Sequence, residues 1–404
     1  MLKPPRGKSE TPIAILTCFG LLSLLLSVAF TQEPAHSSGK TVQATEGIRV
    51  SQPVAHKNLA VYFLHSDTRD DQEFLTLNEG LKQGLVVVSE KKQEQVSELS
   101  IENKSDKPLF LQEGDRVTGG KQDRTIYTSL VIKPKSGQMK IPTFCVERSR
   151  WQEGEKGRQF EGNMNQGYAS NSVRSASKLG KNQGEVWRQV GKAKSDLQKA
   201  IGNQDKTTSL NESLDSKKAT QSLAPFVKAL KNEADKHSDL VGVAFAIDGE
   251  IQEVNVYPGN SLVKKVYPRL LEAYALDAIV SQHERTLATG GQSKPDSVLA
   301  TPSSAAVSEI MKTNVSQKAD RDEAINSDNR LVINKSAATT DGKRVFRCQT
   351  DYQGKQFHLQ WMKSADVPAS APSRRGGLEN MIPQIEQSAN QAPQQRQRSQ
   401  RSGR

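Results

Sequence analysis

The stretch LVGVAFAIDGEIQEVNVY, Leu240 to Tyr257, decides the fold class. Leu240 to Ile247 is an unbroken apolar run, too short for a buried helix and rich in the β-branched and aromatic residues that suit a pleated surface. Asp248-Gly249 follows. That dipeptide supplies two residues tolerant of positive φ, as a two-residue type I′ hairpin requires, and Ile251 to Tyr257 returns as the partner strand. An antiparallel sheet with polar turns is therefore the nucleus from which the rest is read.

Downstream, Pro268 is suited to opening a helix, where its missing amide donor costs nothing. Leu270, Leu271, Tyr274, Ala275, Ala278 and Ile279 form that helix's apolar stripe. Upstream, Glu185 to Ile201 has helical periodicity, with Val186, Trp187 and Val190 on one side, and a second helix is expected over Leu223 to Lys236. Residues 152–182 are rich in Gly, Ser, Asn, Gln and Lys, offer little to bury, and read as a long loop.

The strands expected before that loop are Leu59 to Leu64, Leu85 to Ser89, Val96 to Ile101, Pro108 to Leu111, Thr125 to Ile132 and Met139 to Val146. Between the first two, Thr76 and Glu79 make a capping box for a short helix ending at Gly84. The fold class that results is α+β, an antiparallel β-rich core with several packed helices. Its globular unit is expected to span residues 57–285. Residues 286–330 resemble a linker with weak helical potential over Ala305 to Met311. Val345 to Cys348 and Gln356 to Trp361 make a hairpin across Tyr352-Gln353-Gly354, in a small region over 331–363.

The chain has 404 residues, of which 35% are hydrophobic and 5% aromatic, so part of it must lie outside any packed core. Lys3, Arg6 and Lys8 precede an apolar run from Ile13 to Phe30, the layout of an export signal, with small residues at Ser27-Val28-Ala29 for cleavage. The run is also long enough for a minimal membrane anchor. An exported protein, periplasmic or secreted, follows from either reading. Residues 31–56 then serve as a spacer. Residues 364–404 are rich in Pro, Gln, Ser and Arg, and this disordered basic tail suits an anionic surface.

The formal charge of +11 becomes +9 without residues 1–29, because Lys3, Arg6, Lys8 and Glu10 carry +2 between them. The basic residues are dispersed and no nucleic-acid module is present, so specific nucleic-acid binding is not expected. The six histidines show no metal-ligand spacing, and neither a metal nor a cofactor is expected. With the leader removed, Cys145 and Cys348 either pair or stay buried in an oxidising setting.

Chemistry-bearing residues concentrate in EGDRVTGGKQDR, Glu113 to Arg124, and CVERSRW, Cys145 to Trp151. Gly119-Gly120-Lys121 lacks the outer residues of a phosphate-cradling loop, which leaves a hairpin turn needing positive φ or an anion-binding turn with Lys121 and Arg124. Cys145 lies on a strand with no histidine nearby in sequence, so a buried thiol is weighed against a nucleophile. Glu113 and Glu147 either form an acid and base pair or are held in ion pairs with Arg150 or Arg124. Gln122, Arg150 and Trp151 complete the candidate ligand-binding set.

These blocks, with TLNEGLKQGLVVVSE (Thr76 to Glu90) and NQGEVW (Asn182 to Trp187), resemble the ADP-ribosylglycohydrolase and rhodanese-phosphatase-superfamily-associated protein domain over roughly residues 57–285. Asp123 stands where that family commonly has asparagine, and Ser149 where it commonly has glycine. The resemblance implies company with proteins that process ADP-ribose or phosphoesters. Two functions follow as expectations: a non-catalytic module binding an unknown small molecule or protein, or an enzyme acting on a nucleotide or ADP-ribose-like compound at the Glu113 to Arg124 and Cys145 to Trp151 face.

Overall fold

A computed structural model describes residues 45–70, 72–90, 97–148, 150, 159–161, 168–290, 301–312, 319–338 and 344–363, with the side chains of 335–338 and 344 excepted. The expected leader, the basic tail and Trp151 lie outside the described residues. The class is α+β, as the patterning implies.

The hairpin read from Asp248-Gly249 forms as expected. Both residues take positive φ, 52° and 81°, and Leu240–Ile247 pairs antiparallel with Glu250–Val256. Leu59–His65 pairs along the other edge of Leu240–Ile247, and both strands are buried along almost their whole length. Their side chains alternate between two apolar cores. Leu59, Val61, Phe63, Val243, Phe245 and Ile247 face the helices, with the long helix Asn260–Ala288 across them. Ala60, Tyr62, Leu64, Ala244 and Ala246 face the opposite side, which Val307 and Met311 of the helix Ser304–Lys312 close. A sheet covered on both faces explains why these strands carry no polar alternation.

The sheet then continues through sequence that was read as separate. Lys355–Lys363 pairs with Glu250–Val256, Arg344–Tyr352 pairs with Lys355–Lys363, and Asn329–Ala338 and Arg321–Ala324 follow. A globular unit ending at residue 285, with a linker and an isolated hairpin beyond it, is therefore not the arrangement found. The described residues from 45 to 363 cluster as one unit. The spacer reading also ends early, because Arg49–Val50 and Val54–His56 both pair with Leu59–His65. The hairpin expected across Tyr352-Gln353-Gly354 does form, as Arg344–Tyr352 with Lys355–Lys363, whereas the pairing of Lys355–Lys363 with Glu250–Val256 joins strands far apart in sequence that local periodicity does not name.

Six strands close a barrel beside this sheet: Gln138–Cys145, Glu98–Asn103, Val86–Ser89, Gln159–Glu161, Arg116–Gly119 and Arg124–Ile126. Val86, Val88, Leu99, Ile101, Val117, Ile126, Ile141 and Phe160 belong to its core. The run Thr125 to Ile132 is two strands rather than one, since Leu130–Ile132 leaves the barrel to pair with Leu109–Leu111. The capping box at Thr76 and Glu79 is formed at the start of Leu77–Lys82.

Two helix readings change. Pro268 lies inside Asn260–Ala288 rather than at its start, and the second helix occupies Lys217–Leu230, followed by a 3-10 turn at Ala234–Lys236. An interior proline removes one helical hydrogen bond, a loss this long buried helix tolerates. The loop expected over 152–182 includes a buried helical segment, Asn171–Ser175 continuing as a π-helix over Ala176–Gly180. Its small Ser and Ala residues gave no apolar stripe to read.

Because Lys355–Lys363 sits between two strands and places Trp361 and Met362 in the two cores, a chain ending at residue 343 should lose its cooperative urea transition. A truncated chain melting within a few degrees of the full-length protein would show that the sheet does not need this strand.

Candidate functional site

The helix-facing side of the sheet changes character halfway across. On Glu250–Val256 and Lys355–Lys363 the residues in register with the apolar face are Glu253, Asn255, His358 and Gln360. All are buried, and so is Glu113, which the loop after Leu109–Leu111 delivers to the same place. Over them lies the helical segment 171–180. Arg174 and Lys178 are four residues apart, so both point down one face.

None of Glu113, Glu253, Arg174 and Lys178 is more than 1% exposed. Lys178 Nζ is 3.2 Å from Glu113 Oε2 and also donates to Gln360. Arg174 pairs with Glu253, lies 3.6 Å from Glu113 and donates to the Tyr274 hydroxyl at 2.8 Å. Asn255 and Gln360 donate amides to Glu253 at 2.7 and 2.6 Å. Two anions and two cations thus meet without net charge, and the Ser129 hydroxyl donates to Glu113.

Burial opposes the charge on Glu113, and Lys178, Arg174 and the Ser129 hydrogen bond outweigh it, holding the carboxyl down at about 2. His358 bridges Ser129 and Asn255 at 3.0 Å each, and burial pushes its imidazole down to about 4. Beside the cluster, Asp115 pairs with Arg269, whose guanidinium lies 4.3 Å over the Tyr168 ring.

Glu113 and Glu147 do not form a pair. Glu113 belongs to the buried core, whereas Glu147 holds Arg150 at 2.8 Å, and Arg150 reaches Asp123 at 3.0 Å. Asp123 also accepts from Ser209 Oγ at 2.6 Å and from the Gly119 amide at 3.1 Å. Gly119 and Gly120 adopt φ of 131° and 52°, and a Cβ on Gly119 would come 2.6 Å from the Gln159 carbonyl. The turn therefore needs glycine for steric reasons of its own.

Lys121 donates its backbone amide to Glu90 at 2.9 Å. The Arg124 guanidinium is buried, 3.5 Å from Glu90 and bonded to the Gln122 carbonyl at 2.7 Å. Cation and carboxylate alternate through this end of the barrel, so an incoming anion would have to displace a protein carboxylate.

Cys145 is buried, and burial pushes its thiol up to about 11; Cys348 is shifted likewise. Both cysteines are free. The Gln183 side chain exchanges two 2.9 Å hydrogen bonds with the Cys145 backbone, tying the helix Gln183–Ile201 to the barrel.

A feature that sequence reading missed is a cavity of about 430 Å³ between Gln183–Ile201 and Asn260–Ala288. One helix lines it with Arg188, Gln189, Lys192, Ala193, Asp196 and Leu197. The other contributes Ala273, Leu276, Asp277, Val280 and Glu284. Spacings of three and four put each set on one stripe. Tyr168, Ser170, Ser172 and Leu214 complete the wall. Asp277 accepts the Asn171 amide at 3.1 Å, and among the described residues no lysine or arginine forms an ion pair with it. Burial pushes its carboxyl from 3.8 up to about 6, against the opposing pull of that amide and of Arg174. A polar residue on a helix stripe is the only trace such a site leaves in sequence.

Residues 47–360, most of the chain, match the ARG and Rhodanese-Phosphatase-superfamily-associated Protein domain. The chain belongs to that family. The family domain extends well past residue 285, in keeping with a sheet whose later strands come from the C-terminal part of the match. No curated protein and no solved structure matches the chain. Family membership places both the buried charge cluster and the cavity inside the matched region.

Removing one member of a buried ion-paired set leaves the other charge uncompensated, at about 3–5 kcal/mol. Lys178→Met should destabilise the domain by that order in urea melts, and adding Glu113→Gln should restore part of the loss. A single variant within 1 kcal/mol of the parent would remove the cluster from the stability argument.

Asp277 gives the opposite sign. Its carboxyl binds a proton more tightly in the folded than in the unfolded chain, so its charge costs the folded state above pH 6, and this cost fades as pH falls toward 4. Asp277→Asn should therefore raise stability at pH 7.5 by on the order of 1–3 kcal/mol, with the gain shrinking at pH 4.5. Calorimetric melts at the two pH values decide it, and a loss of stability at pH 7.5 would contradict the assignment.

Proposed function

We propose that this domain is a non-catalytic module that binds a small molecule in the cavity between Gln183–Ile201 and Asn260–Ala288. The observation that carries the reading is the cavity itself, at about 430 Å³ with an apolar floor of Tyr168, Leu197, Leu214, Leu276 and Val280. Small-molecule sites occupy roughly 300–1,000 Å³ and combine such a floor with a few polar groups. Asp277 adds a carboxylate held at a cost to folding, the pattern of a residue kept for binding rather than for stability.

Against catalysis at the barrel end stand the Cys145 thiol pushed up to about 11 and the locked ion pair of Glu147, and against catalysis at the buried charge cluster stand the ion pairs of Glu113 and the neutral buried His358. The leader from Lys3 to Phe30 makes the module an exported one within this reading. The association with ADP-ribosylglycohydrolases makes ADP-ribose the first compound to set against it.

A thermal-shift screen of the full chain beside Ala193→Trp, which fills the cavity, tests the proposal. At 100 times its Kd a ligand adds about 2.7 kcal/mol of stability. Ligands should stabilise the parent and not the filled variant. A chemically diverse library that includes ADP-ribose and yields no such difference would refute the assignment of the cavity as the binding site.

A further inference from the structure

We infer that the ligand of this cavity is an organic cation, a primary or secondary amine on an apolar body, with Asp277 as its counter-ion. The inference rests on the cavity being the binding site and adds the chemistry of what it takes.

Charge in the lining is already apportioned. Lys192 lies 2.6 Å from Asp196 and 3.7 Å from Glu284, so it spans the two helices. Arg188 is held by Glu185 at 2.6 Å. Once these pairs are made, Asp277 is the carboxylate of the lining left with a backbone amide and with no lysine or arginine in an ion pair with it among the described residues, Arg174 acting on it only from a distance. Taken formally, the lining holds Asp196, Asp277 and Glu284 against Arg188 and Lys192, an excess of one negative charge in a chain that is +11 as a whole. That local inversion selects against phosphates and carboxylates, which would have to break an existing ion pair to find a cation.

A metal ion is a poorer occupant, because the carboxylates form no metal-ligating group among the described residues. An apolar floor beside a single uncompensated charge fits an amphipathic ligand. An ammonium next to Asp277 would compensate a carboxylate that is only partly exposed and has lost part of its solvent, while the apolar body covers Leu276, Val280 and Leu197. Burial pushes Asp277 up to about 6, which leaves it mostly ionised at neutral pH and able to gain from a cation that arrives with its own charge.

Titration calorimetry on the full chain at pH 7.5 tests this with four probes: phenethylamine, its neutral counterpart 2-phenylethanol, ADP-ribose and inorganic phosphate. Phenethylamine should bind the parent at least tenfold more tightly than 2-phenylethanol. Asp277→Asn should remove that preference while Ala193→Trp abolishes binding, and circular dichroism melts confirm that both variants are folded. Equal binding of phenethylamine by the parent and Asp277→Asn would overturn the cation inference. So would Ala193-dependent binding of 2-phenylethanol, ADP-ribose or phosphate without binding of the amine, and in that case the cavity would still stand as a binding site. If neither these probes nor the library bind in a manner sensitive to Ala193→Trp, both the inference and the binding reading fall.

Discussion

Four charges sealed between the helical segment 171–180 and the middle of the large sheet constrain everything around them. Burying an ion pair is not a cheap way to gain stability, since desolvation offsets much of the attraction. Its effect is selectivity. Glu113, Glu253, Arg174 and Lys178 pair with one another in a single register of helix over sheet, with Gln360, Asn255 and Tyr274 adding further hydrogen bonds. Glu113 belongs to the stretch that joins the side sheet to the barrel, so the same contacts set where the barrel sits. A slip of one residue on either strand would turn Glu253 or Gln360 into the apolar core on the other face.

The cavity depends on that placement as well. Asn171, at the start of the segment carrying Arg174 and Lys178, donates the amide that Asp277 accepts. The charge cluster and the cavity are therefore two sides of one short helix. One side is fully compensated and inert. On the other side the Asp277 carboxylate accepts a backbone amide and forms no ion pair among the described residues, and that difference is what the proposed binding role of the cavity draws on.

Much of the local architecture was legible. Asp248-Gly249, Thr76 with Glu79, and the turn at Gln353-Gly354 each encode their geometry within a few residues, and each adopts it. A pairing across about a hundred residues, such as that of Val254 with Trp361, leaves no such mark, which is why the strands of 321–363 looked detached. Arg174 and Lys178 carried the helical spacing of four. They sat in a run of Ser, Ala and Asn that composition assigns to solvent, and only their partners on three other elements reveal the burial. The Gly119 to Arg124 and Cys145 to Arg150 blocks were conspicuous for their density of charge. That density is spent on internal pairs, so prominence in the sequence pointed to the brace rather than to the cavity.

The place of Lys355–Lys363 between Glu250–Val256 and Arg344–Tyr352 also orders events in time. A growing chain exposes the edge of Glu250–Val256 until nearly a hundred further residues have been made, because its partner is the last described strand. Contacts of such sequence separation slow folding and leave an open strand edge in the meantime. The exposed, charged Glu250 opens that waiting strand, where charge disfavours pairing with another chain before the native strand arrives.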